Sequence, residues 1–297
     1  MRITRDKTYN QFMPGVPPQI HVSSGDRLTV ETLDALFGRS AEDRDGKLGK
    51  GYLFSHANPA TGPIYVNESM PGDTLEIEIH GINLVGKGFL NVPGENGSEY
   101  IEVEALSDGN LRVLPNGKTF PASPMIGVAG VAASPEIFSG YFGFSVEAGD
   151  HGGNMDNNAV KAGSKLYLPV FVEGALLGLG DVHAIMGDGE VFGQGVEICA
   201  DVDITVTLKK DMKINRPLVI SNETISTAAS AETMEKASEL AVSDMRQILE
   251  KYFGLTAVQA ALAIAFYGNL RVCQIVNSQK TMRMEIKKDM ADIGKWN

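Results

Sequence analysis

Between Val196 and Leu208 the chain alternates with a period of two: Val196, Ile198, Val202, Ile204, Val206 and Leu208 are apolar, and Glu197, Cys199, Asp201, Asp203, Thr205 and Thr207 stand between them. Such alternation marks a half-buried strand, whose successive side chains leave opposite faces. Leu75, Ile77 and Ile79 repeat it against Glu76, Glu78 and His80, and shorter strands are predicted over 20–22, 28–31, 64–66, 100–106, 111–114 and 165–172. The Gly-rich stretch 86–97 reads as a loop, as does the charged stretch 38–51, which is long enough to be mobile or to serve as a lid. The small-residue run from Gly127 to Ala133 implies close backbone packing or the lining of a narrow pocket.

Further along, the period changes. Met234, Ala237, Ala241, Met245, Ile248 and Tyr252 recur at three and four residues, which predicts an amphipathic helix over 226–253 with Gly254 as its stop. Thr256-x-x-Gln259 reads as a capping box opening a second helix that runs to Phe266 and ends at Gly268. That helix is apolar nearly all round, so it is either buried or part of a subunit interface. Strands over 270–276 and 281–286 close the chain. The pattern therefore predicts a mostly-β region over 1–215 and a C-terminal α+β part over 216–297 containing a helix pair.

Charge narrows the classes. Against 26 Lys and Arg stand 37 Asp and Glu, a net charge of −11, with no basic cluster; this speaks against nucleic acid or an anionic membrane surface as a partner. Cys199 and Cys273 have neither metal-ligand spacing nor the makings of a disulfide framework. The N-terminal residues carry no apolar run of signal-peptide type, and no stretch approaches a membrane span. A soluble, cytoplasmic protein is expected.

The candidate chemistry lies in two blocks, Asp150-His-Gly-Gly-Asn-Met-Asp156 and Gly180-Asp-Val-His-Ala-Ile-Met-Gly-Asp-Gly-Glu190. Together with Glu197 they supply His151, Asn154, Asp156, Asp181, His183, Asp188, Glu190 and Glu197, eight potential ligands within 47 positions and nearly all beside Gly. In an extended segment Asp181 and His183 share a face. If Gly187-Asp188-Gly189 is the loop of a hairpin, Met186 pairs with Glu190 and Asp181 with Gly195, leaving Glu197 one diagonal step from Asp181. Two His among carboxylates suit a divalent ion, zinc ahead of manganese or calcium, with an open position for water. Taken one at a time, each of these residues is as well explained by a turn or a backbone contact. His56, in His56-Ala-Asn-Pro, is a loop residue or a proton shuttle. A serine nucleophile elbow and a His-Glu-x-x-His helix are both missing from the sequence.

Several blocks in order carry a resemblance: Thr61-Gly-Pro-Ile-Tyr-Val66, Pro71-Gly-Asp-Thr-Leu75, Pro124-Met-Ile-Gly-Val128, His151-Gly-Gly-Asn-Met-Asp156, Leu166-Tyr-Leu-Pro-Val170, Gly180-Asp-x-His-Ala184 and Gly187-Asp-Gly-Glu-Val191. From about residue 50 to 208 the chain resembles the acetamidase/formamidase family. The resemblance implies hydrolysis of a short linear amide to carboxylate and ammonia, a jelly-roll-like β-sandwich, a homodimer or larger homo-oligomer, and a divalent metal. Carried onto this sequence, it implies Asp156, Asp181, His183 and Glu197 as the functional positions; the mechanism expected of them has a metal held by Asp156, Asp181 and His183 and Glu197 as general base, with the carboxylates interchangeable in these roles. His151, Asp188 and Glu190 stand as further catalytic candidates, and His56, Gly153 and Asn154 as substrate contacts. Where family members often carry Cys after Gly-Glu-Val this chain has Phe192, which removes a thiol mechanism at that position. Two rival readings are a cupin-like metal enzyme and a non-catalytic sandwich that binds a small ligand or metal.

Overall fold

The alternating segment forms the strand Glu197–Lys209, the spine of the sheet. On one side it pairs antiparallel with Asp26–Thr32, Val202 opposite Val30. On the other it pairs with Thr74–Gly94, Val202 opposite Ile82. Ile198, Ala200, Val202, Ile204 and Val206 are buried, and pack with Leu28, Val30, Leu75, Ile77 and Leu166 in the larger of two main apolar cores. Each such aliphatic side chain stabilises the fold by about 1.5–3 kcal/mol. On the opposite face Arg2 and Arg5 both reach Glu31 and Asp201, at 2.6–3.3 Å. In this computed structural model residues 1–36, 56–95, 97–114, 116–134 and 143–290 are described; the charged stretch 38–51 lies outside them.

All 19 strands among the described residues join one hydrogen-bonded network, a large curled sheet. Two stretches depart from expectation. Residues 86–94 are not a loop: they continue Thr74–Gly94, a single strand of 21 residues that turns at Gly94 and Gly97 into its neighbour Gly97–Ala105. Glu197–Lys209 pairs along its other side as far as Phe89, and partners on both sides outweigh the poor strand propensity of glycine. Residues 226–231 are likewise strand rather than helix. Thr224–Ala231 lies between Leu218–Ile220 and Lys280–Lys287, and its β-branched Thr224, Ile225 and Thr227 suit that place.

The first helix starts at Met234, with the Thr233 side chain accepting the Lys236 N–H, and stops at Gly254 in the left-handed region. The second, Ala257–Tyr267, carries the expected capping box of Thr256 and Gln259. Ala241, Met245, Ile248 and Leu249 of the first helix and Ala260 and Ala263 of the second pack with Leu218, Ile225, Met284 and Ile286 in a second core. Leu218–Ile220 pairs with both Lys165–Pro169 and Thr224–Ala231, so one sheet runs through both cores. Only Ala260 and Ala263 of the second helix are buried; Val258, Leu262 and Phe266 are exposed. No helix among the described residues is long and apolar enough to cross a membrane.

Candidate active site

The two Gly-rich blocks meet at the end of the spine strand. Leu177–His183 runs antiparallel to Met125–Gly130, and its last residue, His183, lies directly opposite Glu197. The expected hairpin had placed Gly195 opposite Asp181. The observed register is four residues further on, because the turn at Gly187–Glu190 lies inside one wide loop closed between Ile185 and Val196 and does not itself join the two strands. A shift of four is even, so Glu197 keeps the face that Asp181 and His183 share. Gly195 then covers the imidazole: a Cβ there would sit 2.6 Å from the His183 ring.

Asp181, His183 and Glu197 form one group of potential ligands, and Asp156, His183 and Glu190 a second; within each group the ligand atoms lie within 4.8 Å of one another. All five residues are buried. His183 Nε2 lies 3.1 Å from Glu197 Oε1 and 3.6 Å from Asp181 Oδ1. Gly127 makes this convergence possible, since a Cβ at that position would be 2.6 Å from Asp156 Oδ1 and 2.8 Å from the Asp181 carbonyl. Asp181 was expected in extended backbone, yet its φ is 52°; Asp156 has 46°, Glu190 48°, and Asn58, whose Nδ2 donates to Asp181 Oδ2 at 2.9 Å, has 54°. Four of the seven non-Gly residues with positive φ among those described therefore surround this one centre. L-residues held there store strain, a recurrent mark of functional sites.

Electrostatics make the arrangement costly as it stands. Burial pushes Glu197 up to about 8 and Glu190 up to about 7, and raises Asp156 well above the usual carboxylate range, with neighbouring carboxylates adding to each shift. Burial alone would lower the His183 pKa, but Glu197 and Asp181 outweigh it and hold the imidazolium. Both Asp156 oxygens, Asp181 Oδ1, Glu197 Oε2 and His183 Nε2 have no hydrogen-bond partner among the described residues, although Glu197 Oε1 is within ion-pair distance of Nε2. His183 Nδ1 is 3.3 Å from the Met186 sulfur, a weak acceptor, which in the neutral ring leaves the Nε2 lone pair facing the carboxylates. With the imidazole neutral and the carboxylates ionised these atoms would all be acceptors facing one another in a buried space, a set that fits a divalent cation, whose tetrahedral ligands stand roughly 3–4 Å apart. The donor set therefore suits the group that the sequence implied.

A cavity of about 830 Å³ reaches this cluster, lined by Asp181, Glu190 and Glu197 together with Asn58, Asn154, Phe192, Val276 and Asn277. Asn154 donates to the Val146 carbonyl at 3.3 Å, and its buried Oδ1 has no partner among the described residues. Not every candidate comes to the cavity. His151 is buried against Phe12, ring centroids 5.5 Å apart, with both nitrogens unpartnered among the described residues and its pKa lowered by burial to about 4. Asp188 is gripped by Arg283 at 2.8 and 3.1 Å and by Asn158 at 2.9 Å. His56 is exposed, and Gly153 pairs with Ala129 inside the sheet. Sequence reasoning missed Asn58, Phe192, Val276 and Asn277 as contributors. Asn58 had a signal, an Asn before Pro two residues after His56, and Phe192 had one in standing where family members often carry Cys; Val276 and Asn277 come from a hairpin distant in sequence.

A curled β-sheet with carboxylates and a histidine converging under a cavity defines the class, an amide-hydrolysing enzyme, once its relatives are considered. A predicted acetamidase/formamidase from Thermoanaerobacter tengcongensis shares the fold with a TM-score of 0.87 and 36% identity over 97% of this chain and 96% of that one. An acetamidase from Bacillus halodurans superposes with a TM-score of 0.85 and 34% identity, over 97% of both chains. A putative formamidase of Schizosaccharomyces pombe is 23% identical over 71% of this chain and 67% of its own length. The chain spans 67% and 64% of the length of two curated relatives it matches. The sequence profile of the Acetamidase/Formamidase family matches residues 1–123 and 143–232, and the chain belongs to that family.

Proposed function

We propose that the substrate is a short linear amide, with acetamide and formamide the first to test, hydrolysed to a carboxylate and ammonia. His183, common to both ligand groups, would hold a divalent cation with Asp181 from one group and Asp156 from the other, zinc ahead of manganese or calcium because a histidine is among the ligands. When bound, such a cation supplies Lewis-acid activation of water and of the substrate carbonyl. Glu197 takes a proton from the attacking water as its oxygen bonds to the carbonyl carbon, then returns that proton to nitrogen as the carbon–nitrogen bond breaks. Asn154 Oδ1 accepts from the substrate –NH2, and Glu190 adds a further carboxylate to the ligand cluster. Asp188 and His151 are left to structural roles, the first as the partner of Arg283 and the second as a packed neutral ring. The exposed apolar face of the second helix supports assembly into a homodimer or larger oligomer, and the acidic composition with two free cysteines supports the cytoplasm.

The observation that carries this reading is the buried convergence of unpartnered carboxylate oxygens and one imidazole nitrogen at a cavity. Ammonia release from acetamide and formamide, measured before and after chelation and with zinc, manganese or calcium added back, is the test. Activity lost to chelator and restored by one ion is expected. Turnover indifferent to chelation would sink the cation's part while keeping the amide; no release from either amide would sink the substrate assignment.

A further inference from the structure

We propose that Asn277, at the tip of the C-terminal hairpin, donates its side-chain amide to the substrate carbonyl oxygen and to the oxyanion which that oxygen becomes. This rests on reading the chain as a hydrolase of linear amides. Of the buried side-chain atoms that belong to cavity-lining residues and have no partner among the described residues, Asn154 Oδ1, Asp181 Oδ1 and Glu197 Oε2 are acceptors, and Asn277 Nδ2 is a donor. A primary amide is complementary to such a set: its nitrogen presents two donors and its oxygen one acceptor. A buried N–H left without an acceptor is destabilising, so a hairpin that keeps one there is best explained by an acceptor that arrives with the substrate. Being neutral, the amide stabilises developing negative charge without forming a resting ion pair with the carboxylates.

The tip is firmly held. Gln274 Oε1 accepts the N–H groups of Val276 and Asn277 at 3.0 and 3.1 Å. Gln274 is itself buried, its Nε2 donating to the Gln279 carbonyl at 2.5 Å and to Thr281 Oγ1 at 3.1 Å. Ser278 Oγ ties the tip to Glu147 at 2.7 Å, and Lys280 Nζ bonds the Asn277 carbonyl. A donor carried on a backbone held in advance is what an oxyanion needs, since little reorganisation is then required during reaction. The family profile ends at residue 232, so this contribution lies beyond the stretch by which membership is recognised.

Steady-state ammonia release by wild type, Asn277→Ala and the near-isosteric Asn277→Asp, with melting temperatures measured alongside, tests the proposal. Asn277→Ala is expected to lower kcat about 10²–10³-fold with KM within about threefold of wild type, and Asn277→Asp to lose at least as much. Either variant turning over at the wild-type kcat, or a loss confined to KM, would overturn the proposal while the amidase reading stands. Should Asn277→Ala fail to fold, Asn277→Asp carries the same decision. Wild-type protein that releases no ammonia from any short linear amide would overturn the amidase reading and this role together.

Discussion

In the C-terminal helices local preference and final structure agree: Thr233 caps, Gly254 ends the helix at φ 71°, and Thr256 with Gln259 closes a capping box. At the acid centre local preference is overridden, with carboxylates in left-handed backbone, acceptors facing acceptors and ionisable groups out of water. The first region needs only its neighbours in sequence to explain it. The second is explained only by groups distant in sequence being brought together to bind something. Consistency across levels is the rule in a stable fold, and its local breach points to work being done.

Glu197→Gln breaks the contrast most sharply. We expect activity to fall about 10³-fold while thermal stability holds or rises, because removing one of several clustered carboxylates relieves repulsion; a parallel loss of melting temperature would instead make Glu197 structural. The next effect reads stability against pH. His151 is held neutral with its pKa near 4, whereas in the unfolded chain it titrates near 6.5, so acid drives proton uptake by the unfolded state alone. Its contribution is intact above about 6.5 and is lost as pH falls toward 4, by about 3 kcal/mol. Urea titrations of wild type and His151→Gln across that window should show a shallower acid slope in the variant; equal slopes would mean the ring is solvated.

Arg283→Met tests how the two regions are joined, since it strips Asp188 of its charged partner and leaves only the Asn158 hydrogen bond described above. With Asp188 about one-third exposed, we expect a loss of about 2 kcal/mol, below the 3–5 kcal/mol of a fully buried pair, seen as a lower urea midpoint. The smallest change is Thr256→Ala. Loss of the cap should lower stability by about 1 kcal/mol and leave kcat unchanged; a change in kcat would show that the helix pair reaches further into the site than its packing implies.

Legibility in the sequence followed the same division. The spine strand, both helix stops and the set of Asp156, Asp181, His183, Glu190 and Glu197 could be read, because period, caps and composition are short-range signals. The helix start was placed eight residues early, at Ser226 rather than Met234, since Ala and Ser fit either state and the flanking strands decided. The wide loop from Ile185 to Val196 hid the register, and only its parity was recoverable from alternation. Val276 and Asn277 were invisible because nothing local marks a hairpin tip that docks about 80 residues beyond the spine strand it faces.

Thr29 bonds Asp203 across 174 residues of chain. On a ribosome adding about 5–20 residues per second, the strand Asp26–Thr32 emerges roughly 9–35 s before the spine strand that covers it. For that interval its edge and its buried Leu28 and Val30 face the crowded cell unpaired, a template for any passing strand. The N-terminal region of this protein is thus the one for which a chaperone has most time to act, and the rate of translation sets how long that time lasts.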